Sequence, residues 1–289
     1  MAQITTSEKV QNNQKITDGK IKIYLRKIIH PLLLMASQSK VNFKIVKENK
    51  YKVIKNKPII FAINHQCVYD TPIACKAIKK HGYILSGKQP FEKIDELFFN
   101  LNGSIFVDRK DKKDMALSKD AMVEYLKKGQ NIIMFPEGTW NMTDQELMLN
   151  MKWGIIEVAK ETNAQIIPVV LNYDRDNNKC SVVFGQTMVI EKDRDKKEAI
   201  EELRDEMASL RWKAIDETKI YKREEIDVED LRKKKEAIYD EYPMLDVEYE
   251  KSVIFKPTPT AEEVFAPVKK LGLRKDTAFL YGKNKTGIW

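Results

Sequence analysis

Apolar and polar positions change their rhythm along the chain, and each change predicts a different element. In residues 20–36, KIKIYLRKIIHPLLLMA, Ile21, Leu25, Ile28, Ile29 and Leu32 recur at helical spacing, with Lys20, Lys22, Arg26 and Lys27 on other faces. Pro31 lacks an amide hydrogen and is expected to kink or interrupt this helix. From residue 41 the stretch VNFKIVKENKYKVI alternates as two short strands do. Residues 58–63, PIIFAI, are a continuous apolar run ending at Asn64-His65, the pattern of a strand buried on both faces. Thr71-Pro72 then reads as the opening of a helix, with Thr71 as cap and Pro72 in the first turn. Further strands are predicted at 82–85, 104–107, 131–135, 165–171 and 181–184, and helices at 91–100, 113–128 and 153–162. Strands alternating with helices predict an α/β fold with a largely parallel central sheet flanked by helices.

The pattern also divides the chain. Residues 1–57 read as a basic N-terminal arm carrying the amphipathic helix, 58–190 as the α/β core, 191–240 as a charge-dense helical region and 241–289 as a C-terminal extension. The extension holds Pro243, Pro257, Pro259 and Pro267 and few long periodic runs, and is expected to wrap and pack against the domain. No run of about 18 uncharged apolar residues predicts a spanning helix, and no signal peptide is expected at the N-terminus. Cys67, Cys75 and Cys180 form no Cys-x-x-Cys pair, and only three histidines exist to join them. No disulfide framework or metal site is expected, which suits a reducing, cytoplasmic compartment.

Charge changes the picture of the arm. Residues 1–57 hold thirteen Lys/Arg against three Asp/Glu, or +10, so the rest of a chain of net charge +8 sums to −2. A basic arm beside an apolar stripe suits a helix lying in an anionic membrane surface, and predicts a peripheral protein on its cytoplasmic face. A nucleic-acid-binding module is the alternative from another class. The lysines alternate with aliphatic residues more than with stacking aromatics, so no nucleic-acid partner is expected.

Four blocks carry candidate chemistry. In Asn64-His65-Gln66-Cys67-Val68-Tyr69-Asp70, a turn between strand and helix can fold Asp70 back onto His65. Its carboxylate would then accept the imidazole N–H, as a general base and its orienting partner require. In Gly103-Ser104-Ile105-Phe106-Val107-Asp108-Arg109, an arginine just past an apolar strand can grip a phosphate bidentately. In Phe135-Pro136-Glu137-Gly138-Thr139-Trp140, Gly138 permits an unusual φ or a close backbone approach, and Glu137 and Thr139 can orient a ligand or the loop itself. In Ile166-Ile167-Pro168-Val169-Val170-Leu171, the proline favours an edge or strand-start position.

Together and in this order, the blocks resemble the glycerolipid acyltransferases, the lysophosphatidic acid acyltransferases and their relatives. Lys152-x-Gly154 followed by Ala159 is a fifth echo, and the resemblance covers roughly residues 20–210. It implies His65 as general base, Asp70 as its partner, and Asn64, Arg109, Glu137, Gly138, Thr139, Lys152 and Gly154 as substrate-binding residues. The implied reaction moves a fatty-acyl group from acyl-coenzyme A or acyl-carrier protein to a lysophospholipid hydroxyl, foremost that of 1-acyl-sn-glycerol 3-phosphate, giving phosphatidic acid. No cofactor is implied beyond the acyl-thioester co-substrate. Trp140 stands where the family often carries Arg or Ser, which leaves glycerol 3-phosphate or another lysolipid open as acceptor. Cys67 stands where the family often carries Ser. It is expected to be structural, because the family's chemistry is direct attack without a covalent intermediate. A hydrolase using the same pair to activate water, and an inactive scaffold, are the remaining alternatives.

Overall fold

A computed structural model describes residues 17–88, 93–141, 147–174 and 177–216, with the isolated positions 227, 229 and 233. The expected C-terminal extension, 241–289, lies outside the described residues. A helix α1 (Lys20–Ser37) leads into β1 (Lys44–Lys47), β2 (Ile59–Ile63), α2 (Asp70–Ile78), β3 (Tyr83–Gly87), α3 (Lys93–Asn102), β4 (Ser104–Val107), α4 (Lys112–Lys127), β5 (Ile132–Met134), α5 (Gly154–Thr162), β6 (Gln165–Asp174), β7 (Lys179–Phe184), β8 (Met188–Val189) and α6 (Lys196–Asp216). The sheet runs β1-β7-β6-β2-β5-β3-β4, with β8 also pairing β6. The five strands from β6 to β4 are mutually parallel, whereas β7 and β8 run antiparallel to β6. The fold is thus the expected α/β sheet, largely parallel and flanked by helices.

All five residues of β2 are buried, because it pairs with β5 on one side and β6 on the other and is covered on both faces. Alternate side chains feed two cores. Ile60 and Ala62 join Ile132, Met134, Ile166 and Val170 beneath α4, α5 and α6. Ile59, Phe61 and Ile63 join Ile133, Ile167, Val169 and Leu171 beneath α2. This order brings the C-terminal ends of β6, β2, β5 and β4 to one edge of the sheet, where ligands of open α/β sheets bind.

Four local expectations are corrected. The second strand expected in 41–54 does not form among the described residues. Gln165 takes that role by pairing with the backbone of Ile54, accepting from its N–H at 2.7 Å and donating to its carbonyl at 2.9 Å. Pro168 lies inside β6, not at an edge. It is tolerated because it falls where the outer neighbour changes from β8, opposite 165–166, to β7, opposite 169–174, and its carbonyl still accepts from Gly185 N–H at 2.9 Å. The helix expected to open with Thr71 as cap already includes Asp70, and Tyr69 occupies the cap position. Finally, α1 runs continuously through Pro31. Pro31 and Lys27 are both exposed, so the carbonyl that loses its bond can face water.

The helix α1 packs with an inverted polarity. Arg26, read as lying off the apolar stripe, is buried: it pairs with Asp18 at 2.5 Å and donates to the terminal carbonyls of α3 at Asn100 and Leu101. His30 donates from Nδ1 to Asn102 Oδ1 at 2.9 Å, and His81 from Nε2 to the Asn102 carbonyl at 2.7 Å. Burial lowers the pKa of both, that of His81 to about 4, so these two histidines are neutral packing groups at physiological pH. Outward, Ile21, Leu32 and Met35 are 79%, 64% and 72% exposed, and Tyr24, Leu25 and Ile28 are exposed beside them.

Candidate active site

The loop after β2 carries His65, and the first turn of α2 carries Asp70. The five-residue offset closes because Asp70 is the hub of its own loop. Its Oδ2 accepts from His65 Nδ1 at 2.8 Å, from Cys67 N–H at 2.9 Å and from the N–H of Gln66. Its Oδ1 accepts from the Tyr173 hydroxyl at 2.6 Å. Asp70 is fully buried, and His65 keeps 20% of its side chain exposed. With Nδ1–H committed to the carboxylate, the lone pair of the neutral ring lies on Nε2, as a general base requires.

The ring is held from two further sides. Phe135 stacks on it with centroids 4.1 Å apart, and Trp140 meets it edge-on at 5.9 Å. Both come from the loop after β5, which lies beside the His65 loop because β5 is the neighbour of β2. Trp140 is therefore a wall of the histidine's pocket, and that packing accounts for an aromatic residue at the position.

Glu137 ties the two loops together. Its Oε1 accepts from His65 N–H and its Oε2 from Leu149 N–H, both at 2.8 Å. Burial pushes its pKa up to about 7, against the two N–H bonds and Arg211, which pull it down. Glu137 and Asn64, expected to bind substrate, are placed as internal supports of the loops. Both are buried, and Asn64 spends its amide on Leu171, donating to its carbonyl at 3.1 Å and accepting from its N–H at 2.7 Å. Thr139 is also buried. Cys67 is buried too, with Sγ directed at Asp70 Oδ1 at 3.7 Å, which suits the structural part expected of it.

Arg109, two strands away at the end of β4, reaches back and donates to the Gly138 carbonyl. Gly138 has φ +74°, a left-handed conformation that favours glycine, and the Lys152 side chain lies 3.7 Å from where a Cβ would stand. The carbonyl of Pro136 accepts from Lys152 N–H at 2.8 Å. The structure thus gathers His65, Asp70, Arg109, Gly138 and Lys152 around one edge, with Gly154 opening α5 nearby in sequence.

Residues 44–172 match a model of the acyltransferase family. The chain is also 28% identical over 153 residues to a 1-acyl-sn-glycerol-3-phosphate acyltransferase of Saccharomyces cerevisiae, a match covering 52% of this chain and 48% of that protein. The matched region therefore spans about half the length of that relative. The crystal structure of the 1-acyl-sn-glycerophosphate (LPA) acyltransferase from Thermotoga maritima superimposes with a TM-score of 0.54 at 16% identity, covering 75% of this chain and 91% of that one, and shares the fold.

Two residues of the site escape sequence reasoning. Tyr173 continues β6 past the end of β2 and reaches Asp70 from across the sheet. Burial, then the Asp70 charge, raise its pKa well above 10, so it remains a donor. Its signal was only a polar residue ending an apolar strand. Arg211 lies on α6, beyond the matched segment, in a helix dense with charge. Tyr173→Phe removes one donor from a carboxylate that keeps three N–H donors and the Cys67 thiol. Transfer is expected to fall about tenfold with the fold intact, checked by kcat and thermal melting.

Proposed function

We propose that this chain is an O-acyltransferase that moves a fatty-acyl group from acyl-coenzyme A or acyl-carrier protein to the hydroxyl of a lysophospholipid, foremost 1-acyl-sn-glycerol 3-phosphate. The observation that carries this reading is the His65 Nδ1–Asp70 Oδ2 bond of 2.8 Å, which leaves Nε2 as the base. In the reaction, Nε2 accepts the hydroxyl proton as the acceptor oxygen bonds to the thioester carbonyl carbon. The tetrahedral adduct then collapses, the C–S bond breaks, and the imidazolium returns its proton to the leaving thiolate. Asp70 stabilises the imidazolium between these two transfers. Because the thioester is already activated, the residues require no further cofactor.

Arg109 and Lys152 both lie against Gly138 and bring cations suited to the acceptor's phosphate. Purified protein offered a panel of lysophospholipids and glycerol 3-phosphate, each with acyl-coenzyme A or acyl-carrier protein, tests this reading by mass spectrometry of the products. Acylated 1-acyl-sn-glycerol 3-phosphate supports it. Acylation of a neutral-headgroup acceptor alone contradicts it.

The same reading seats α1 on an anionic bilayer, at the cytoplasmic face. Its outward residues Ile21, Tyr24, Leu25, Ile28, Leu32 and Met35 are exposed, as are Leu97 and Leu101 of α3, the helix it packs against, and Lys20, Lys22 and Lys27 lie among them in sequence. No helix among the described residues is long and apolar enough to cross a membrane. Gln38, just past α1, donates to the Pro72 carbonyl at 2.9 Å, so the bilayer-facing helix is tied two residues from Asp70. Leu25→Glu with Leu32→Glu is expected to abolish co-sedimentation with vesicles containing anionic lipid while leaving thermal stability unchanged. Full retention on the vesicles would contradict this placement.

A further inference from the structure

We propose that Arg211 is a positioning residue of this site: its guanidinium, delivered by α6, fixes the His65 loop through Gln66 and supplies the charge that keeps Glu137 holding the His65 backbone. The proposal rests on the reading of His65 as the base.

The geometry has two routes. In the first, Arg211 Nη2 donates to Gln66 Oε1 at 3.1 Å, and Gln66 Nε2 donates to the Leu171 carbonyl at 2.7 Å. Gln66 is thereby stretched between α6 and β6, and its own N–H is among the donors to Asp70. The residue directly after His65 is thus held at both its backbone and its side chain. In the second, Arg211 Nη1 donates to the Leu147 carbonyl, Arg204 Nη2 donates to the Met148 carbonyl at 3.0 Å, and Leu149 N–H donates to Glu137. Arg204 and Arg211 are seven residues apart and share a face of α6. Three consecutive backbone positions are pinned in this way, and the third is tied to the carboxylate that holds His65 N–H at 2.8 Å.

Charge decides what Glu137 can do. As a carboxylate it accepts from both N–H groups. Once protonated, one oxygen becomes a donor and one of the two bonds weakens. Among the described residues, the charged groups acting on Glu137 are Arg211 from α6, which favours the carboxylate, and Asp70 from α2, which opposes it. The histidine reaches Glu137 through its backbone, and Arg109 and Lys152 lie against the next residue, Gly138. Burial already carries the Glu137 carboxyl to about 7, within the working range, so losing a nearby cation raises its protonation further there.

The test compares full-length wild type, Arg211→Met and Arg211→Lys. Two readouts are the pH dependence of kcat and the titration of Glu137 by carbon NMR on glutamate-labelled protein. Arg211→Met is expected to move the acid limb of the kcat profile and the Glu137 midpoint upward by about 1 pH unit. KM for the acceptor should stay unchanged, and Arg211→Lys should restore both positions. A merely structural Arg211 would lower kcat at every pH without moving either midpoint, and that result overturns the proposal. Loss of folded protein in both variants overturns it as well. Absence of acyl transfer in wild type refutes the reading of His65, and the NMR midpoint still decides whether Arg211 governs Glu137.

Discussion

Replacing His65 with alanine is expected to lower acyl transfer by about 10²- to 10⁴-fold, the range a positioned general base contributes, with an essentially unchanged melting temperature. The ring is held by one side-chain bond and two aromatic neighbours at a partly exposed loop, so its removal opens space at the pocket and leaves β2 and the sheet untouched. Asp70→Asn should fall between wild type and His65→Ala. An asparagine can keep its carbonyl toward the loop donors and turn its amino group to the Tyr173 oxygen, which can accept. Geometry then survives, and what is lost is the negative charge that stabilises the imidazolium. Steady-state kcat on the two variants, beside their thermal melts, checks both statements. Wild-type activity in His65→Ala would remove the residue from the chemistry.

The largest expected effect on stability belongs to Glu137. Truncation to alanine strands the N–H groups of His65 and Leu149 and is expected to cost about 2–6 kcal/mol in denaturant unfolding, given about 1–3 for each unsatisfied group. The pH dependence has a definite sign. The folded-state pKa of about 7 exceeds the ordinary 4.5, so the native state holds the proton more tightly than the unfolded chain. The contribution of Glu137 is therefore fully present below about pH 4.5 and is lost as pH rises through 7. Glu137→Gln should flatten that decline. It should also cost one bond, because the amide nitrogen faces an N–H donor. Unfolding curves at pH 5 and pH 8 for wild type and Glu137→Gln separate the two effects.

These two residues also show where sequence reasoning ends. His65 and Asp70 were legible because their spacing between a strand-like run and a helix start, weak by itself, is followed by Arg109, Glu137-Gly138-Thr139 and Pro168 in the family's order. Arg109, Glu137 and Gly138 were legible as residue types in an order. What sequence could not say is that Glu137 faces inward: its role follows from β5 lying beside β2, a pairing of residues some seventy positions apart. The same holds for Asn64, which the resemblance assigns to substrate and whose side chain bridges to β6. The strand pattern was readable wherever burial on both faces made continuous apolar runs. It failed at 51–54, where one glutamine side chain replaces a neighbouring strand, and at Pro168, whose tolerance depends on a junction between β7 and β8. Tyr173 and Arg211 had no local signal, since each reaches the site only through tertiary packing.

The measurement that tests the account most directly is the stoichiometry of transfer. Purified protein is supplied with isotopically labelled acyl-thioester and 1-acyl-sn-glycerol 3-phosphate in anionic vesicles, and thioester loss, acylated acceptor and free fatty acid are all read by mass spectrometry. The account predicts one acylated acceptor for each thioester consumed, with both signals lost together in His65→Ala. Free fatty acid matching the thioester consumed, with no acylated acceptor, would contradict it.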